Sequence, residues 1–582
     1  MGNFTFISMR RFVIAFLALA ALGVTESAIA GTHSPQLDEA NRKNPRGRVD
    51  VIIKYGESGV APAYGPDSEK IADLPGGELR RTTVADALRL STLSTVVHVT
   101  VNNTVLATGS PVYDFSPQSI QPLTRPAYGL QVMNRGFGTA GHVGVAIIDS
   151  GIHLDPHNLD LAQSSVVYSE SFVSTEGTDD LYGHGTFIAG VIAGTGLNSL
   201  YGYPHDIFGV SPGVQLINLK VLDRNGVSTD AQVIQAIERA IALKNKYNIK
   251  VINLSLGRPV YESFLQDPLC QEVEKAWLNG ITVVVAAGNS GRLNQAGTQG
   301  YGTIASPGND PLAITAGAIN TESTPQTGDD LMTTYSSKGP SLADHVIKPD
   351  LVAPGNRVFG VLAPGSTLAS NPNAAVDGSY IVLSGSSVST AVTSGAAAAL
   401  IALEGLNPNQ VKARLMKTAS KLPNVSYTVD GHSIQNDIFT VGAGYLNLDA
   451  AIADVGDDLP NGFYAASPAA VPFGLDSNGR ELIAADSTVW GSSTVWGSST
   501  VWGSSTVWGS STVWGSSTVW GSSTVWGSST VWGSTFNPGP FSTVWGSSTV
   551  WGSSTVWGSS TVWGSDTIQG SVLGGDPDTG SN

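Results

Sequence analysis

Leu383 to Leu403 reads L-S-G-S-S-V-S-T-A-V-T-S-G-A-A-A-A-L-I-A-L, and the fold turns on this stretch. A small-residue turn, Ser384-Gly385-Ser386, opens onto an apolar, Ala-rich run with the length and composition of a buried helix. A Ser at such a turn lies at a helix N-terminus, where backbone N–H groups are unpaired and the dipole is positive. An oxyanion forming beside it would be stabilised, which is the requirement of acyl transfer. Taken alone, the stretch reads more readily as a Ser N-cap on an ordinary core helix. Two stretches far upstream change that balance.

The first is His142 to Asp149, H-V-G-V-A-I-I-D, a buried strand ending in a carboxylate. The second is Gly183 to Gly190, G-H-G-T-F-I-A-G, a glycine turn entering a small-residue helix. Between about Ala127 and Ile452 strands and helices alternate, as in an open, doubly wound parallel sheet. Val251 to Gly257 and Ile281 to Asn289 read as two more strands, and Thr229-Asp-Ala-Gln232 as a capping box opening another helix. Ligands in such sheets bind beyond the carboxyl ends of the strands. Asp149 and Asn289 end strands, while His184 and Ser387 begin helices, so all four fall on one edge.

That set has a chemistry. A Ser hydroxyl is a weak nucleophile until a base takes its proton, and imidazole is suited to that task near neutrality. His184 is the candidate base for Ser387, with Asp149 orienting the imidazole. Asn289 is the candidate oxyanion donor. Each piece is short, but the order Asp, His, Asn, Ser is specific.

These stretches resemble the subtilisin-like serine peptidases (subtilases). The matching segments are A-I-I-D-S-G-I at 146–152, G-H-G-T-F-I-A-G at 183–190, I-N-L-S-L-G at 252–257, V-V-A-A-G-N at 284–289 and S-G-S-S-V-S-T-A at 384–391. The resemblance implies an α/β fold, a mainly parallel sheet with helices on both faces. It implies a serine endopeptidase with Asp149, His184 and Ser387 as catalytic residues and Asn289 in the oxyanion hole; secretion, to a periplasm or outside the cell, is expected from the leader at residues 1–30. It places substrate backbone against Ser255, Leu256 and Gly257, and a pocket wall at Ala286, Ala287 and Gly288. By alignment Ser290 and Ala305 lie at the pocket floor, so an uncharged, apolar side chain is expected there. The family's nucleophile motif, G-T-S-M-A-x-P, is here Gly385-Ser-Ser-Val-Ser-Thr-Ala391, with Ser386 in the Thr position. No cofactor and no metal site is expected. Calcium, common in the family, stays open but is not indicated, because Asn158 stands where a carboxylate ligand is usual and Gly202 to Val210 lacks the Asn-rich pattern.

Composition bounds the rest. The chain has 582 residues and a net charge of −16. Lys and Arg number 12 against 11 Asp and Glu up to Arg125, and 18 against 35 after it, so the acidity belongs to the later part. That disfavours nucleic acid as a partner. The single cysteine, Cys270, excludes an intrachain disulfide and reads as a buried helical thiol. Residues 1–30 read as a signal peptide: Arg10-Arg11, an apolar run from Phe12 to Gly23, then Ala28-Ile29-Ala30. Residues 31–125 read as a small α+β unit and linker, with a strand at Val49–Tyr55, a helix in Thr82–Leu93 and a hairpin turning at Asn102-Asn103. By position this region resembles a propeptide acting in cis, which makes the chain a zymogen.

The peptidase-like domain is placed at 126–452, a linker at 453–486, S-T-V-W-G-S repeats at 487–565 and a disordered Asp/Gly-rich end at 566–582. Eight copies of the repeat precede an insert, Thr535 to Phe541, and four follow, without one charged residue. Three readings stand: a solenoid, an aggregation-prone tail, or an adhesive module for cell surfaces, glycans or self-association. The partners implied are therefore protein or peptide substrates, the propeptide, and whatever the repeats attach to. A second function class is a surface adhesive or structural protein on an inactive peptidase domain. Retention of all four candidate residues disfavours it. An α/β-hydrolase is a third, but needs a G-x-S-x-G elbow and the order Ser, Asp, His.

Overall fold

A computed structural model describes residues 31–56, 59–109, 143–161, 165–199, 207–293, 300–322, 327, 329–371, 374–422, 426–429, 431–454, 464–475 and 481–485, and short backbone strands between 488 and 569. The leader at 1–30 and the linker stretch 110–125 lie outside the described residues. The chain divides into two compact units, Met1–Val101 and Asn102–Asn582.

The first unit is a five-stranded sheet in the order β1-β5-β2-β4-β3 with two helices. Its elements are β1 (Thr32–His33), α1 (Pro35–Lys43), β2 (Arg48–Tyr55), β3 (Glu69–Leu74), β4 (Gly77–Thr83), α2 (Val84–Ser91) and β5 (Val96–Val101). Alternation on β2 sends Val51 and Ile53 into a core with Leu37 of α1, Ala87 and Leu90 of α2, and Val96 and Val99 of β5. The α2 start is fixed by the Thr83 hydroxyl, which accepts the Asp86 N–H at 3.2 Å.

The second unit holds the alternating segment. An eight-stranded sheet runs β15-β14-β13-β11-β7-β9-β8, with β16 also on β14. Its strands are β7 (Gly144–Asp149), β8 (Val166–Ser171), β9 (Gln215–Lys220), β11 (Ile249–Leu254), β13 (Thr282–Ala286), β14 (Ile314–Asn320), β15 (Leu331–Met332) and β16 (Leu351–Pro354). All pairings are parallel except β14 with β15. β7 is buried at every position, as expected of a strand covered on both faces.

Four of the helices form two pairs. α3 (His184–Ala193) packs with α6 (Ser386–Glu404), and α4 (Asp230–Leu243) with α5 (Pro268–Leu278). α6 is buried from Ser386 to Ile401, and its Ser, Thr, Gly and Ala side chains let it lie close against β11, β13, β14 and β16. The capping box Thr229/Gln232 does open α4. Cys270 is fully buried in α5, beside Ser306 and Asn309.

Two expectations differ from the structure. No hairpin forms at Asn102-Asn103. The strand after it, β6 (Thr104–Ala107), pairs instead with β10 (Val227–Thr229) and β12 (Leu256–Gly257). The two Asn residues do not close a turn because α4 engages them. Asn102 Oδ1 accepts the Ala231 N–H at 3.0 Å, and the Asn103 carbonyl accepts the Asp230 N–H at 3.0 Å. The stretch read as a linker also contains docked chain. Ser467 N–H donates to the Pro311 carbonyl at 2.8 Å, and its hydroxyl donates to the buried Asp350 carboxylate and accepts from Lys412 Nζ at 2.8 Å. Ala470–Leu475 and Glu481–Ala485 then form an antiparallel pair.

In the repeats, backbone strands pair in parallel and in register. Thr488 faces Thr506, and Thr494 faces Thr512, three hexads further along. After the insert the step is two hexads, Ser548 facing Ser560.

Candidate active site

Asp149 ends β7 and is fully buried, and one of its oxygens accepts the Ser150 N–H at 2.7 Å. His184 opens α3 and faces it across the gap between strand end and helix start. His184 Nδ1 lies 2.8 Å from Asp149 Oδ1 and 3.0 Å from Oδ2. A carboxylate can only accept, so Nδ1 carries a proton and donates it to Asp149, leaving Nε2 to face away from the carboxylate. Gly183, the residue before it, has φ 102°, and a Cβ there would meet Ser366 Oγ at 2.4 Å, so the turn requires glycine.

Ser387 is the second residue of α6. Its hydroxyl and His184 Nε2 are both buried, and neither has a hydrogen-bond partner among the described residues. Both border Gly109: a Cβ built there would lie 2.4 Å from His184 Nε2 and 2.9 Å from Ser387 Oγ. The neighbouring Ser386 is committed elsewhere, since its hydroxyl accepts the Gly288 N–H at 3.0 Å.

Asn289 follows β13. Its Oδ1 accepts the Ser386 N–H at 2.9 Å, which turns Nδ2 outward, and Nδ2 donates to the Thr108 carbonyl. Gly385 makes room for that carbonyl, for with φ 153° its Cβ would stand 2.3 Å from the Thr108 oxygen. Three side chains, His184, Ser387 and Asn289, thus converge on one peptide bond, Thr108–Gly109, with Asp149 behind His184.

The chain before that bond is the middle strand of a three-stranded antiparallel sheet, β10-β6-β12. Leu106 faces Val227 on one side and Gly257 on the other, and Ala107 faces Leu256. Thr108 N–H donates to the Ser255 carbonyl at 3.3 Å, and Ala107 N–H to the Gly226 carbonyl at 3.1 Å. Ser255 works from both ends: its hydroxyl donates to the Ser387 carbonyl at 2.9 Å. Ala286, Ala287 and Gly288 continue from β13. Ala305, whose N–H donates to the Ala287 carbonyl at 2.9 Å, fills the space between the two strands. Its Cβ would stand 3.0 Å from a Cβ on Gly257 and 3.1 Å from one on Gly288. Ser290 N–H donates to Ser337 Oγ at 3.1 Å.

Sequence reasoning missed β10, because V-S-T reads only as the lead into a capping box. It also missed Asp230, whose buried carboxylate takes Arg258 Nε at 2.7 Å and the Asn103 side-chain amide at 3.2 Å. A lone Asp at a helix start gave no signal of that second contact.

The calcium question has a structural answer at Asn158. Its Oδ1 accepts the Asp160 N–H at 2.9 Å and Asn198 Nδ2 at 2.8 Å. Asp160 accepts the Asn198 N–H at 3.0 Å and the Tyr380 hydroxyl. The oxygens that a cation would need are thus engaged by protein donors. Among the described residues no group of three or more His, Cys, Asp or Glu is arranged to hold a metal.

Comparison with known proteins agrees with the geometry. The profile described as Subtilase family (Peptidase_S8) matches residues 141–444. The chain is 34% identical over 308 residues to serine protease AprX of Bacillus subtilis (strain 168), covering 51% of this chain and 66% of that protein. It is 32% identical over 323 residues to subtilisin DY of Bacillus licheniformis, covering 55% of this chain and 94% of that protein. It is 30% identical over 304 residues to the membrane-bound transcription factor site-1 protease of Rattus norvegicus, covering 50% of this chain and 24% of that protein.

Proposed function

The chain belongs to the subtilase family of serine endopeptidases, and from that premise we propose that it hydrolyses peptide bonds through an acyl-enzyme on Ser387. His184 Nε2 takes the Ser387 proton as Oγ attacks the carbonyl carbon. Asp149 holds the Nδ1–H and stabilises the imidazolium that forms. Asn289 Nδ2 donates to the developing oxyanion. His184 then gives its proton to the leaving amine, and water attacks the ester by the same route. One observation carries the reading: the Thr108 carbonyl accepts from Asn289 Nδ2 while the next residue borders both His184 Nε2 and Ser387 Oγ.

The same observation supports a cis role for the region before Gly109. It is a prosegment whose last strand enters the cleft as a substrate, and the bond cut in maturation is Thr108–Gly109. Held between β10 and β12, the strand also blocks the cleft to other peptides until it leaves. Substrates are extended peptides with an uncharged side chain before the scissile bond, because the pocket between Gly257 and Gly288 is closed by Ala305 and would leave a cation unpaired. The enzyme acts outside the cytoplasm, on the strength of the leader-like residues 1–30. The repeats serve attachment or assembly. Their strands pair in register at several steps, and parallel sheets ending in open edges accept further identical strands from a second copy.

The test is a fluorophosphonate label on the purified full-length protein, with the modified residue mapped and the new N-terminus sequenced. Label on Ser387 and an N-terminus at Gly109 are expected. The assignment fails if Ser387→Ala keeps most of the activity and Ser386→Ala does not.

A further inference from the structure

Asp180 lies outside the set that touches substrate, yet its residue is only 3% exposed. Four donors converge on its carboxylate. Oδ1 accepts the Ser150 hydroxyl at 2.8 Å and the Gly183 N–H at 2.6 Å. Oδ2 accepts the Thr186 N–H at 2.8 Å and the Thr186 hydroxyl at 2.7 Å.

The direction of both hydroxyls is fixed by backbone donors. Ser150 Oγ accepts the Gly185 N–H at 2.8 Å, so its own proton must go to Asp180. Thr186 Oγ1 accepts the His153 N–H at 2.9 Å, so its proton goes there too. These two contacts cross the same gap in opposite senses. One runs from the helix start to the loop after Asp149, the other from that loop to the helix start. Ser150 in turn donates its N–H to Asp149.

We propose that Asp180 is a positioning residue for the reaction: its carboxylate locks the loop carrying Asp149 to the helix start carrying His184, and so sets the Asp149–His184 hydrogen bond. This rests on the serine-peptidase reading above. The charge is needed, since each oxygen faces two donors and offers them nothing but lone pairs. Burial raises its pKa, and the hydrogen bonds from Thr186, Gly183 and Ser150 oppose that. The partial positive charge of the α3 N-terminus favours the anion as well. The other titratable groups around this gap are Asp149, His153, Glu176, Asp179, Tyr182, His184 and Lys220; His153 Nδ1 lies 2.8 Å from Asp179, and Lys220 Nζ donates to the Ser150 and Asp179 carbonyls, each at 2.8 Å, and pairs with Glu176 at 3.0 Å. The loop and helix have no slack, for a Cβ on Gly185 would stand 2.1 Å from the Gly151 carbonyl oxygen.

Asp180→Asn puts an NH₂ group against two donors and pushes the elements apart. In the mature full-length enzyme, kcat per fluorophosphonate-titrated site should fall about 10²-fold with KM nearly unchanged, the scale expected for a shift of about 1 Å between reacting groups. The acid limb of the kcat/KM profile should move to lower pH, because a misaligned Asp149 stabilises the imidazolium less. A merely structural role would lower Tm and the titrated fraction while leaving kcat per site and the limb in place, and that result overturns the proposal. If Asp180→Asn does not fold, Ser150→Ala is read instead. It removes one relay, and wild-type kcat with an unshifted limb overturns the proposal equally. Failure of the wild-type enzyme to take the label would instead refute the serine-peptidase reading.

Discussion

Gly109→Ala should block maturation. A Cβ at 109 would lie 2.4 Å from His184 Nε2, 2.5 Å from His184 Cδ2 and 2.9 Å from Ser387 Oγ, against about 3.4 Å for an ordinary contact. Relief requires a displacement of about 1 Å, and neither side has freedom to give it. His184 is tied to Asp149, Ser387 is anchored in a buried helix, and the strand before Gly109 is paired on both edges. A misplacement of that size costs about 10²-fold in rate. The assay is a time course of conversion of the precursor to the form beginning at residue 109, read by gel and by N-terminal sequencing. Ser387→Ala, which cannot react, serves as the zero. Wild-type conversion of Gly109→Ala at the same bond would refute the geometry from which the scissile bond is assigned.

Ser467→Ala should destabilise the second unit although the residue lies beyond the segment that resembles the family. Its hydroxyl bonds to two buried ions, Asp350 and Lys412, and hydrogen bonds to charged groups contribute about 1.5–3 kcal/mol each, so a loss of about 3 kcal/mol is expected. Denaturant unfolding in the Ser387→Ala background, where no self-digestion occurs, measures it. Stability should also rise with pH above about 7. Burial pushes Lys412 down to about 7 from 10.5, with Asp350 opposing, so the unfolded chain binds the extra proton between those values. Lys412→Met should remove that part of the slope between pH 7 and pH 9. Chelation by EDTA should leave Tm unmoved, since protein donors occupy the oxygens of Asn158 and Asp160; a large drop would show that an ion is bound. A form ending near Asp486 should keep full activity on a small peptide and lose self-association in sedimentation. An inactive but folded truncation would refute the separation of roles.

The four candidate residues could be picked out because each sits where a short pattern and an element boundary coincide. Asp149 closes an apolar strand, His184 comes directly after Gly183 and Ser387 two residues after Gly385, each glycine opening a helix, and Asn289 ends an almost wholly apolar run. Hydrophobic period and glycine placement are local signals, and they suffice to bring these residues to one sheet edge. The strand Thr104–Ala107 that leads to Gly109 was not legible for the opposite reason. Thr104–Ala107 alternates like a hairpin arm, and its true partners, Val227–Thr229 and Leu256–Gly257, lie more than a hundred residues away. Nothing local distinguishes a strand that pairs with its neighbour from one that pairs across the fold. Ser467 was hidden likewise, since a Ser in an Ala/Pro-rich stretch carries no mark of the buried ions it meets.

Asp180 shows a third kind of concealment, and it bears on how the site is held. In D-D-L-Y-G-H-G-T the two Asp residues look alike, and a carboxylate before a turn ordinarily reads as a loop cap. The structure separates them by burial: Asp179 is exposed and bonds His153 Nδ1 at 2.8 Å, while Asp180 is enclosed with four donors. The cost of burying a carboxylate is met only where its donors are complete, and here every donor belongs to the loop after Asp149 or to the start of the His184 helix. An anion that can be satisfied only when two elements are in register acts on both as a constraint. The Asp149–His184 hydrogen bond joins those same two elements, so on the proposed mechanism precision at His184 depends on a residue outside the set that meets substrate.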